Sequence, residues 1–148
     1  MGAGQGVATF SVSQRKAIQD ELEILRRLNP QYEDFFNSHP AEPFFIKNLE
    51  NIQGDERDVI MISVGYARNK QGYLAMRFGP LGSQGGERRL NVLISRAKRR
   101  CEVFASITDE DIDLERAKGV GVLAFKLFLQ ICTYRTFINV HCFRASDG

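Results

Sequence analysis

The run Val59-Ile60-Met61-Ile62-Ser63-Val64 is apolar on both alternating faces except at Ser63. A strand with one face in water alternates apolar and polar residues, whereas a strand covered on both faces does not. The run therefore needs a layer above and a layer below, the situation of a central strand in a parallel α/β sheet. The flanking sequence fits that requirement. Gly6-Val7-Ala8-Thr9-Phe10, Phe44 to Leu49 and Cys101 to Ala105 read as three further strands. Between them lie stretches of helical period. Ser11-Val12-Ser13-Gln14 has the form of a capping box, with Ser11 as N-cap and Gln14 at N3. The helix it opens carries Ala17, Ile18, Leu22, Leu25 and Leu28 on one face, expected inward, and Asn29-Pro30 ends it. One turn of helix is predicted around Tyr32 to Phe36, and Thr108-Asp109-Glu110-Asp111 reads as a capped turn. Gly119 to Ile131 is predicted as a helix with Val120, Leu123, Leu127, Phe128 and Ile131 inward. Residues 69–86 form a long glycine-bearing loop, with Tyr73 to Phe78 as a short strand inside it. Phe137-Ile138-Asn139-Val140 reads either as a strand or as an irregular end.

Composition narrows the function classes. A chain of 148 residues favours one domain. The net charge of +2 excludes a strong, globally basic nucleic-acid binder, so any electrostatic footprint is local. Cys101, Cys132 and Cys142 are odd in number, widely spaced and form no CxxC, which favours a reducing, cytoplasmic setting over a disulfide framework. His39 and His141 are far apart with no cysteine nearby, so no metal site is expected. Lys126 interrupts the longest apolar stretch, and no secretory signal is visible at the start, so no membrane association is expected.

Several chemistries are absent as motifs. No G-x-x-x-x-G-K-[ST] string occurs, so the chain carries no phosphate-binding loop of that type. Gly2, Gly4 and Gly6 precede a strand, the reverse of the dinucleotide fingerprint. Two remote histidines exclude a Ser-His-Asp or Cys-His arrangement. Asp55, Glu56 and Asp58 are close enough in sequence to suggest a metal-dependent nuclease, but no paired carboxylate and lysine follow on a neighbouring strand.

Three stretches carry a positive signal. Glu87 to Lys98 follows glycines at 82, 85 and 86; Leu90, Leu93, Ile94 and Ala97 recur at helical spacing, and Arg89 and Arg96 are predicted two turns apart on another face. By charge alone this is a solvated basic face, yet guanidinium groups fixed at one end of a sheet also suit a polyphosphate. Glu50-Asn51-Ile52-Gln53-Gly54-Asp55-Glu56-Arg57-Asp58-Val59-Ile60 is a polar turn leading into the central strand. Gly54 lets the backbone bend closely past a ligand, and Glu56 offers an acceptor to ribose hydroxyls or to an arginine. Gly6 to Gln14 is a strand leading into a capped helix. In parallel α/β sheets ligands sit off the carboxyl ends of the strands. The turn after Leu49 lies at such an end, and the start of the basic helix is expected at the same edge.

In order, these stretches resemble motifs IV, V and VI of superfamily 1 helicases, over residues 6–105, most closely the up-frameshift-type branch. Phe10 and Ser11 stand where that branch commonly carries Pro and Tyr. Phe44 to Tyr66 and Gly79 to Ala105 look like a bacterial group of large helicases. The resemblance implies a three-layer α/β RecA-like domain of the P-loop NTPase type, with a mainly parallel sheet and without its own Walker A motif. Residues 1–133 would be the second motor domain of a longer polypeptide, and 134–148 a tail of unassigned structure. It implies ATP and Mg2+ as cofactors, bound mainly by the first RecA-like domain of the same polypeptide, and single-stranded DNA or RNA as partner. Arg96 would be the arginine finger, and Gln53, Gly54 and Glu56 would shape the nucleotide side of motif V. Thr9, Ser11, Glu50 and Asn51 would touch nucleic acid, mostly at phosphate and sugar. Arg89 would pair with Glu56 or Asp58. The fragment alone is expected to be inactive as an ATPase. A non-catalytic binding module with the same fold and a nuclease using Asp55, Glu56 and Asp58 are the alternatives.

Overall fold

The apolar run forms the third strand of a five-stranded sheet, flanked on each side as its sequence requires. The computed structural model describes residues 3–134 and 140–144. Its strands are β1 (Gln5–Thr9), β2 (Phe45–Asn48), β3 (Arg57–Val64), β4 (Ala97–Ala105) and β5 (Val140–Arg144), all parallel, in the order β2-β1-β3-β4-β5. The helices are α1 (Val12–Leu28), α2 (Glu33–Asn37), α3 (Gly86–Ile94) and α4 (Val120–Tyr134). The chain winds one way from β1 to β2 and the other way from β3 to β5. Right-handed crossovers therefore place α1 on one face and α3 and α4 on the other. The result is the expected α/β fold, consistent with a RecA-like domain.

The core lies on the α4 side. Ile60, Ile62 and Val64 of β3 pack with Val103 of β4 and with Val122, Phe125 and Leu129 of α4, all within 2% exposure. Each such side chain contributes about 1.5–3 kcal/mol of burial. Phe10, Tyr66, Phe78 and Phe125 form one aromatic cluster, with Phe10 5.3 Å from Phe125. So Phe10, at the turn where the resemblance places a nucleic-acid contact, belongs to the core.

Several expectations change. In α4 the inward residues are Val122, Phe125, Phe128, Leu129 and Cys132, whereas Val120, Leu123 and Leu127 are exposed. The helix is apolar nearly all round, and a periodicity argument cannot choose between two apolar faces. In α1 no residue is buried, and Leu25 and Leu28 are 54% and 72% exposed. Its cap is as expected: the Gln14 amide donates to Ser11 Oγ at 3.2 Å, and Asn29 closes the far end. Tyr73–Phe78 is no strand but part of the loop. Arg116 straps that loop down by donating to Leu74 O and lying 4.7 Å over the Tyr73 ring. The capped turn at Thr108 is a 3-10 turn, Asp109–Asp111, with both capping-box bonds present. In the stretch 134–148, Val140–Arg144 pairs with β4; of the strand expected at 137–140, residues 137–139 lie outside the described residues. Among the described residues no helix is long and apolar enough to cross a membrane.

Two glycines set how close the helices come. A Cβ on Gly121 would lie 2.0 Å from Leu81 O and 2.9 Å from Gly86 Cα, and one on Gly86 would lie 2.1 Å from the same Leu81 O. The first turns of α3 and α4 thus meet backbone to backbone around one carbonyl.

Candidate functional site

The candidate residues gather at two opposite edges of the sheet. At the carboxyl edge, Asn48, Thr9 and Ser63 stand level in the register of β2, β1 and β3. Thr9 is fully buried, and its hydroxyl donates to Ser11 O at 2.9 Å, which shapes the turn into α1. Ser11 is exposed, with its oxygen engaged as the helix cap. Gln14 donates from Nε2 to Ser63 Oγ at 2.7 Å, joining the first turn of α1 to the end of β3. Arg15 Nη1 and Asn51 Nδ2 both donate to Asn48 Oδ1, at 3.2 and 2.8 Å. Asn48 is buried, while Glu50 and Asn51 are exposed beside it. Arg15 Nε is buried with no hydrogen-bond partner. Of these residues, Thr9, Ser11, Glu50 and Asn51 were expected from sequence. Arg15 and Asn48 were missed, although an Asn at the carboxyl end of a strand, and an Arg following the capping-box Gln, were signals available in the sequence.

At the amino edge, Glu56 and Arg96 meet. Arg96 Nη1 lies 4.0 Å from Glu56 Oε1, with the Arg96 side chain 19% exposed and that of Glu56 52% exposed. Arg96 Nε donates to Val92 O at 3.0 Å and Nη2 to Ser95 Oγ at 3.1 Å, so the guanidinium is folded back on its own helix end. Nη1 makes no hydrogen bond among the described residues; its nearest acid is the loosely placed Glu56. Around this pair, Lys98 Nζ bonds Glu42 at 2.5 Å. The Glu42 carboxylate holds the Lys98 ammonium above its ordinary range, with Asp58 and Glu56 adding attraction. Arg57 is buried and points its guanidinium at Pro43 O and Glu56 O.

Two sequence expectations about the arginines are corrected here. α3 ends at Ile94, so Arg96 sits in the turn between Ser95 and β4, and β4 starts at Ala97, not at Cys101. Arg89 and Arg96 therefore stand at opposite ends of α3. Arg89 does not pair with Glu56 or Asp58. Its Nη1 donates to Pro80 O, Ser83 Oγ and Gln84 O, at 3.3, 3.2 and 3.1 Å, and ties down the loop before α3. A basic stretch of helical period gives no stopping point when Arg and Lys are also tolerated on a solvent-facing strand.

Residues 49–56 join the two edges without a helix. They leave β2 at the carboxyl edge, turn at Asn51, whose amide donates to Asn48 O, and pass beneath the surface at the fully buried Ile52. They turn again at Gly54, whose φ of +87° favours glycine, and Lys47 bonds Asp55 at 2.5 Å. They enter β3 at Arg57, roughly 20 Å back along the strand at about 3.3 Å per residue. The turn expected wholly at the carboxyl edge thus has only its first half there; Gln53 and Gly54 are exposed on the return, and Glu56 lies at the amino edge. Among the described residues no group of three or more His, Cys, Asp or Glu gathers as a metal site.

The pattern of the AAA domain family matches residues 5–108, which take in β1 to β4 and both edges. An uncharacterized ATP-dependent helicase of Mycoplasma genitalium is 44% identical over 131 residues, covering 86% of this chain. Its homolog in Mycoplasma pneumoniae is 37% identical over 131 residues, with the same share covered. The chain spans 11% of the length of each of these relatives.

Proposed function

The chain belongs to the AAA domain family, and from that premise we propose that it is the second RecA-like motor domain of an ATP-dependent superfamily 1 helicase. Both relatives named above are described as ATP-dependent helicases, which supports the reading. The observation that carries it is the meeting of Glu56 and Arg96: residues forty positions apart come together at one sheet edge, and among the described residues Arg96 Nη1 makes no hydrogen bond, with Glu56 Oε1 4.0 Å away.

The proposed division of labour follows from that geometry. ATP with Mg2+, bound mainly by the first RecA-like domain of the same polypeptide, would supply the phosphoryl group. This chain supplies charge. Val92 O and Ser95 Oγ hold two nitrogens of Arg96, so the guanidinium is oriented before any ligand arrives. Negative charge grows on phosphoryl oxygens as the bond breaks, and a preorganised cation stabilises that state more than the ground state. Glu56, half exposed and 4.0 Å away, aligns the arginine or accepts from a ribose hydroxyl. Gln53 and Gly54 shape the turn beside it. At the carboxyl edge, Ser11, Glu50 and Asn51 form the exposed part of the nucleic-acid track, and Thr9 supports it from below. The linking segment 49–56 then connects the strand-binding edge to the nucleotide edge.

The test is Arg96→Ala in the full-length helicase. The expected outcome is a loss of about 10² or more in ATPase rate, on the scale of arginine fingers, with ATP affinity much less changed. Arg96→Lys is not expected to rescue, since a point charge on a flexible stem lacks the planar fork. Arg99→Ala, exposed on β4, is the matched control. Equal steady-state turnover for Arg96→Ala and Arg99→Ala, with both folded by circular dichroism, would sink the proposal.

A further inference from the structure

We infer that Arg57 is a positioning residue for the Glu56–Arg96 pair, and this inference rests on the proposed role of that pair. Arg57 touches both halves of the pair at once. Its Nη1 donates to Glu56 O at 2.6 Å, and its backbone N donates to Arg96 O at 3.2 Å. Its Nε and Nη2 both donate to Pro43 O, at 3.0 and 2.7 Å, and Cζ lies 4.7 Å from the centre of the Phe45 ring. The side chain therefore pins the return of segment 49–56 to the start of β2, and the main chain pins the end of α3 to the start of β3.

Three observations argue against a filler role. Arg57 is 8% exposed, yet among the described residues its guanidinium has no carboxylate within ion-pair distance. A buried cation held only by carbonyls is expensive, and an apolar side chain of similar size would fill the space at less cost. The acceptors are also specific: the two carbonyls belong to the residue next to Arg57 and to Pro43, fourteen positions away. Finally, the register between β3 and β4 shifts here. Arg57 pairs with Ala97 but Val59 with Arg100, so β4 carries one extra residue between Ala97 and Arg100, just beyond Arg96. An extra residue of this kind bends a strand and re-aims the side chains beside it, and such bulges gather near active sites. Arg57 is the residue that fixes the partner strand opposite this bulge.

A planar fork is needed to reach two carbonyls in different directions while sitting over a ring; an ammonium cannot do all three. The experiment uses the full-length helicase with Arg57→Lys, Arg96→Ala and the double variant, assayed for ATP turnover at saturating single-stranded DNA. Arg57→Lys is expected to lower kcat about 10- to 100-fold, the penalty for a misplacement of around 1 Å, with KM for ATP within about threefold. In the double variant the lysine is expected to add less than about twofold to the loss from Arg96→Ala, because Arg57 acts through Arg96. If the lysine variant melts below the assay temperature, Arg57→Gln, which keeps two N–H donors without charge, is read in the same way. Wild-type kcat in the Arg57 variant, a change confined to KM, or full additivity with Arg96→Ala overturns the inference. When Arg96→Ala is impaired and Arg57→Lys is not, only the positioning role falls; when Arg96→Ala is itself silent, both the role and the motor-domain reading fall.

Discussion

Replacing Gly121 by Ala tests how closely α3 and α4 approach. The added Cβ would sit 2.0 Å from Leu81 O, 2.9 Å from Gly86 Cα and 3.1 Å from Gly86 C. All three are backbone atoms, so no side chain can swing aside. Ordinary contact begins near 3.4 Å, so α4 must retreat by roughly 1 Å or the loop carbonyl must turn away. Overpacking of a tight core costs about 1–3 kcal/mol, and a clash against main chain belongs at the upper end. Against this stands a gain of at most about 1 kcal/mol from the better helix propensity of Ala. The net expectation is a loss of about 2 kcal/mol or more, a large share of the 5–15 kcal/mol typical of a domain. In urea denaturation followed by circular dichroism, with m of about 1–3 kcal/mol/M, the midpoint should fall by roughly 0.7–2 M. Gly82→Ala is the control, since its Cβ would meet only Gly79 O at 3.6 Å and its φ of −78° suits any residue. The midpoints of the two variants coinciding, at unchanged m, would refute the close approach.

Two further outcomes follow from named contacts. Asp111 is half-buried, which pushes its carboxyl up, but the Thr108 N–H and Arg68 outweigh burial and hold it below the usual range. A carboxylate with a depressed folded pKa gives stability that is present above its unfolded value near 3.9 and lost as pH falls through the folded value. Asp111→Asn should therefore cost about 1 kcal/mol at pH 7 in urea midpoints, with the gap to wild type closing below about pH 4; a gap independent of pH would count against the assignment. The chain by itself should bind single-stranded DNA more weakly than micromolar at physiological salt. Its affinity should fall with salt at a log–log slope of about −0.7 per phosphate contact, and anisotropy titrations at several salt concentrations giving tight or salt-independent binding would contradict the small carboxyl-edge track.

The sheet was legible because its signals are local and redundant. β3 declares itself by being apolar on both faces, and α1 by its cap and its Asn-Pro stop. The contents of α4's inner face were not legible, because Val120, Leu123 and Leu127 obey the same period as Val122, Phe125 and Leu129. Amphipathic α1 was read as facing inward along its whole stripe, yet none of its residues is buried: Ile18 and Leu22 are partly covered and Leu25 and Leu28 exposed, since a stripe states a need and not where the cover comes from. At the site, the motif pattern located Glu56 and Arg96 and the structure brings them to 4.0 Å. It could not separate the two edges, because that depends on segment 49–56 doubling back, which only the buried Ile52 and the turn at Gly54 determine. Arg57 was invisible for another reason. An arginine at the start of a strand reads as exposed, and its burial depends on carbonyls far from it in sequence.

The place of β1 in the sheet has a consequence for how the chain is made. β1 lies inside the sheet, between β2 and β3, yet it is synthesised before both of them. Its register with β3 pairs Gln5 with Val59 and Thr9 with Ser63, a separation of 59 − 5 = 54 positions in each case. At ribosomal rates of 5–20 residues per second, β1 waits about 3–10 s for that partner to be synthesised. The edge that takes β3 stays open for the whole interval and the edge that takes β2 until Phe45–Asn48 is made; both neighbours are non-local, parallel ones, the slowest kind of pairing to form. A chaperone acting on the nascent chain would have its main task here, in the seconds before β3 leaves the ribosome.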